Sequence, residues 1–125
     1  MKKYEFTDEV KHVRGIILHR IIHIKSGILG GWIQNEKNLS QTGKAWVSGN
    51  AWVFGKARVS GNAWVFGNAQ VVGNARVSGN AEVFGKAWIS GKARVFGNAQ
   101  VAGNAQVSGD AEVSGNARIF DGAWT

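Results

Sequence analysis

The sequence predicts an all-β, single-domain solenoid of stacked strands joined by tight corners. Three observations predict it. From Gly43 to Phe120 one six-residue unit recurs thirteen times without a break: glycine, then Asn, Lys or Asp, then Ala, a free position, Val or Ile, and a second free position. A unit this short can bury its apolar side only by stacking on copies of itself. The chain also holds 18 glycines and no proline, which suits repeated corners between uninterrupted sheet ladders.

Within each unit Ala and the β-branched residue stand two apart, so on a strand both point inward and the two free positions point outward. The Gly-Asn step reads as the corner, because both residue types tolerate left-handed backbone angles. The repeat fades backward. Ile33 and Leu39 lie twelve and six residues before Ala45, so the spacing places them in the same inward slot of two degenerate units over residues 29–42. Residues 1–28 read as a cap: Tyr4 to Thr7 and the alternating stretch Arg14 to Lys25 form two strands of a hairpin. No cap is expected at the other end, where the rule breaks at Asp121-Gly122 before Trp124-Thr125. An open last coil is an aggregation hazard unless a partner or a second copy covers it.

Bulk composition narrows the function. At 125 residues one core suffices. Without cysteine there is no disulfide framework, thiolate nucleophile or zinc–thiolate site. No apolar run approaches the roughly 20 residues of a membrane span, and Met-Lys-Lys-Tyr-Glu-Phe lacks a signal peptide's apolar core. The expected location is the cytoplasm. The net charge of +7 is spread along the chain, which favours an anionic partner.

The spacing resembles the hexapeptide-repeat left-handed parallel β-helix superfamily over about two thirds of the chain, although glycine here stands one place later than in its usual motif, as in Val53-Phe54-Gly55. The resemblance implies three units per triangular coil, left-handed winding and homo-oligomers, commonly trimers. With about five coils spaced at about 4.8 Å, the rod would be about 24 Å long. Every eighteenth residue then stacks in a column. The first face carries Trp46 and Trp64 in one outward column, and Phe66, Phe84 and Phe120 in the next. The second carries Trp52, Trp88 and Trp124, with Phe54 beside them. The third carries Arg58, Arg76 and Arg94, with Lys56 and Lys92 at its corner.

Exposed Trp and Phe on adjacent coils mark an oligomer or partner interface. Stacked arginines, each neighbouring pair costing about 1 kcal/mol in water, suit an acidic partner or a phosphate. Aromatics beside basic residues also make direct nucleic-acid contact a weaker alternative.

Enzymes of the superfamily place a catalytic His and a loop excursion in the coil. Here the thirteen units hold neither, and His12, His19 and His23 all lie in the cap. His19 and His23 share parity on one strand, but the reading is no metal, no cofactor and no catalysis. Lys3 to Thr7, Leu18 to Ile21, Leu29 to Ile33 and Asn38 to Ser40, followed by Gly-Asn-Ala repeats, also look like small phage and prophage proteins. That likeness implies a phage-encoded inhibitor of a bacterial defence (such as CRISPR) or of a nucleic-acid-handling complex, acting by protein–protein contact. The alternatives are a structural or polymer-forming β-solenoid and a degenerate acyltransferase-like protein that would bind coenzyme A.

Overall fold

The computed structural model describes residues 2–125, folded as a parallel β-solenoid of about five coils behind an N-terminal hairpin. The repeats supply two-residue strands on three faces. The first face holds β4 (Trp46–Val47), β7 (Trp64–Val65), β10 (Glu82–Val83), β13 (Gln100–Val101) and β16 (Arg118–Ile119). The second holds β5 (Trp52–Val53), β8 (Gln70–Val71), β11 (Trp88–Ile89), β14 (Gln106–Val107) and β17 (Ala123–Trp124). The third holds β6 (Arg58–Val59), β9 (Arg76–Val77), β12 (Arg94–Val95) and β15 (Glu112–Val113). Strands of one face pair in parallel with an eighteen-residue offset, as Trp46 with Trp64 and Arg58 with Arg76.

The inward Ala and Val of all three faces fill one continuous core, and those from Ala45 to Val107 are essentially inaccessible. Each buried valine contributes about 1.5–3 kcal/mol relative to exposure. At the corners glycine takes the positive φ, +62° at Gly49, and the next Ala N–H closes a turn, as Ala51 N to Ser48 O at 3.2 Å. Asparagine does not share that backbone: Arg14 is the only non-glycine with positive φ among the described residues. Its role is a side-chain ladder at the corner before the first face. Asn62, Asn80 and Asn98 each donate from Nδ2 to the Oδ1 of the next coil, at 3.2, 3.1 and 3.4 Å.

The N-terminal hairpin forms, with shifted bounds. β1 (Tyr4–Val13) and β2 (Ile16–His23) are antiparallel and longer on the first side than expected. Arg14 belongs to the turn, because Arg14 and Gly15 both take positive φ, as a two-residue hairpin turn requires. β3 (Leu29–Ile33) then runs antiparallel to β2 and parallel to β5, so the hairpin continues the sheet of the second face. Ile33 and Leu39 are inward but stand opposite Val53 and Val59, in the valine slot and not the alanine slot. Two extra residues in the Ser40 to Lys44 corner move them there.

The other two faces begin with a side chain in place of a preceding strand. In every later coil the glycine and alanine carbonyls accept N–H groups from the coil before, as Gly73 O from Lys56 and Ala75 O from Arg58. On the third face the amide of buried Asn38 donates to Gly55 O at 3.2 Å and Ala57 O at 2.9 Å. On the first face Lys3 Nζ donates to Gly43 O at 3.3 Å and Ala45 O at 2.6 Å. Buried carbonyls left without such donors would each cost about 1–3 kcal/mol. Tyr4 completes the closure, its single hydroxyl proton directed at Leu39 O at 2.6 Å and shared with Glu36 O at 3.0 Å.

At the far end the register slips by one. Ala123 pairs with Gln106 and Trp124 with Val107, so Trp124 leaves the outward column of Trp52 and Trp88. The reversal of Asp121 and Gly122 shortens that corner. The Trp124 indole instead donates to Asp121 O at 3.1 Å and stays 48% exposed.

Candidate binding surfaces

The arginine column forms as three units per coil require. Arg58 is in register with Arg76, Arg76 with Arg94, and Arg94 with Glu112. All three guanidinium groups are exposed, as are Lys56 and Lys92 at the flanking corner. The two ion pairs among the described residues, Lys2–Glu36 and Arg20–Glu9, involve none of these five. The column therefore presents three like charges outside any ion pair, with Glu112 as the next residue beyond Arg94 and Glu36, paired to Lys2, lining the groove beside Arg58. Serines 60 and 78 border its first two arginines and, with Lys37 and Gln41, line a groove of about 470 Å³. The serines were legible as a column. Lys37 was not, because the 3-10 turn Glu36–Asn38 reaches this face only once Asn38 is anchored in the core.

The aromatics do not form one patch. Trp46 is half-buried, edge-on to Tyr4 at 6.3 Å and to His23 at 5.5 Å. Trp52 shares Lys11 with Trp32: the ammonium lies 4.4 Å from the Trp32 ring and 5.8 Å from the Trp52 ring. These two tryptophans thus contact the hairpin, a cation–π and edge-to-face arrangement that ties it down. Trp64, Phe66 and Phe84 make a separate strip on the first face. Trp64 is tilted on Phe66 at 5.5 Å, and Phe66 stacks on Phe84 at 4.8 Å and 3°. Trp88 is 45% exposed on the second face, with Gln70 between it and Trp52 in the column, and Phe54 is half-buried. Phe120 is 52% exposed on the last coil.

The histidines go to different neighbours. The His19 ring stacks on Phe6 at 4.3 Å, whereas His23 accepts at Nδ1 from the backbone N–H of Ser26 at 3.3 Å. Among the described residues no cluster of three or more His, Cys, Asp or Glu could hold a metal ion. No helix among them is long and apolar enough to cross a membrane.

Fold and surface together define a β-solenoid repeat protein with outward chemistry written at its free positions. Residues 57–73 and 75–91 match a family model described as the YdcK beta solenoid repeat, so the repeat itself is similar to that family's repeat. The matched stretches fall in the regular coils and include Arg58, Arg76 and Trp88. No curated protein matches the chain.

Proposed function

We propose that this chain is a non-catalytic binding protein whose third face docks on an acidic protein surface. The observation that carries this reading is the column Arg58, Arg76, Arg94: in register, exposed and in neither of the two ion pairs among the described residues. Guanidinium groups stacked on one rigid sheet are pre-spaced for carboxylates, which each can hold bidentately. In its specific form the partner is a bacterial defence or nucleic-acid-handling complex, and the chain is its phage-encoded inhibitor in the host cytoplasm. Support for that form is the likeness of the N-terminal blocks to small phage proteins. The test is capture from host lysate, with and without nuclease, by the wild type and by a variant carrying Arg58→Ser, Arg76→Ser and Arg94→Ser. One nuclease-resistant partner bound by the wild type and lost in the variant is the expected outcome. Equal capture by both would overturn the assignment.

A second reading, a self-associating structural β-solenoid, is favoured by the strip of exposed Trp64 and half-buried, stacked Phe66 and Phe84. It predicts a molar mass that rises with concentration and falls back to the monomer in Trp64→Ser.

A further inference from the structure

The seam between the hairpin and the first face holds a groove of about 560 Å³, a size typical of small-ligand sites. Its apolar wall is built by Trp46, Trp64 and Ile28, of which Trp64 is 49% and Ile28 62% exposed. A second niche of about 290 Å³ shares Lys3, His23 and Gly43 with it and adds Lys2 and Lys25. An aromatic slot thus adjoins a cluster of ammonium groups.

The charge in this cluster is one-sided. Neither lining contains a carboxylate. Lys2 is neutralised by Glu36 at 2.8 Å, but Lys3 meets only the carbonyls of Gly43 and Ala45. Its partial burial, which pulls its pKa below the ordinary lysine value, leaves a desolvated ammonium with no counter-ion. Two of its three N–H bonds are used, so one donor remains. His23, whose Nδ1 lies 3.3 Å from the Ser26 N and 2.9 Å from its Oγ, lines both niches as well. A ligand that fits has a flat apolar body and an anionic end.

We propose that this seam binds a planar aromatic anion of the nucleoside phosphate kind, its ring against Trp64 and Trp46 and its phosphate at Lys3, Lys25 and His23. The aromatic walls supply stacking area, and lysine ammonium groups supply point charges for phosphate. The arginines lie on another face of the coil, although Gln41 lines both the lysine niche and the arginine groove.

The experiment is calorimetric titration of the full chain with four probes: AMP, naphthyl phosphate, adenosine and inorganic phosphate. AMP is expected to bind at least tenfold tighter than adenosine or phosphate alone, and to weaken as salt rises. Naphthyl phosphate tells whether the base edge is read: binding equal to AMP means that ring and charge suffice, and weaker binding means that the base is recognised. Trp64→Ala and Lys25→Ser should each weaken AMP binding at least fivefold while circular dichroism stays unchanged, and Trp88→Ala, on the second face, should leave it alone. No AMP binding at millimolar concentration, or binding indifferent to Trp64→Ala and Lys25→Ser, would overturn the proposal.

Discussion

Tyr4 is the only tyrosine in the chain, so its titration can be followed without interference. Burial and, second, the nearby Glu36 carboxylate push its pKa well above the ordinary 10.0. The folded state then keeps a proton that the unfolded state releases. Stability from this group is complete below pH 10.0 and falls as pH rises beyond it. Lys3, held below the ordinary 10.5 by desolvation, acts in the opposite sense, since there the folded state loses its proton first. The expected result is phenolate absorbance that stays absent in the native protein above pH 10.0 and appears together with unfolding. Tyr4→Phe should flatten the alkaline fall in melting temperature and cost about 1–3 kcal/mol at neutral pH, because Leu39 O loses its donor. Native phenolate appearing at pH 10.0 would contradict the burial argument.

Asn38 and Asn80 carry the same side chain with opposite consequences. Asn38 is 1% exposed and satisfies two carbonyls and two N–H groups, of Gln34 and Asn35. Asn38→Leu leaves those groups unpaired at about 1–3 kcal/mol each, and the expected loss is at least about 3 kcal/mol. Chemical denaturation reads it directly.

At the scale of elements, a two-residue strand is far too short to be stable alone; each is held by register with its neighbours on the same face. The asparagine ladder adds to that register along one corner. Its bonds are exposed, so Asn80→Ala, which removes two of them, should cost no more than about 1 kcal/mol, and Asn116→Ala, which removes one, still less. Equal losses for Asn80→Ala and Asn38→Leu in denaturation would mean that burial does not separate the two roles. The hairpin is an element of another kind. It extends the second face through β3 and reaches the first through Lys3, and Gln41 accepts the Lys3 and Tyr4 N–H groups at 2.7 and 3.2 Å. Chain from both sides of β3 therefore closes the first coil.

For the whole molecule, the basic face predicts an affinity that drops steeply with salt, because exposed charges are screened within about 10 Å at 0.1 M. Replacing Arg58, Arg76 and Arg94 by serine lowers the net charge from +7 to +4 without touching the core, since all three are exposed on a face whose inward residues are Val59, Val77 and Val95. Melting temperature should therefore hold within a few degrees while partner binding is lost. A large drop in melting temperature would mean that the arginines brace the sheet.

Much of this was legible in the repeat. Its period determined the β-solenoid and the inward Ala and Val, because a strict short period must bury its apolar residues against copies of itself, while the three faces and the alignment of Arg58 with Arg76 and Arg94 followed from the three units per coil that the hexapeptide-repeat resemblance implied. Where the period breaks, the spacing argument loses its hold. Ile33 and Leu39 took the valine slot, Trp124 slid opposite Val107, and Asn38 and Lys3 became donors to a coil end. Those outcomes were decided by the tertiary structure. Unpaired carbonyls at the first coil require donors wherever the chain can bring them, and no local pattern states which residue will arrive. The seam between hairpin and coil belongs to the same class, since Ile28 and Trp64 line one groove, with Lys25 in the niche beside it, only after both units have folded.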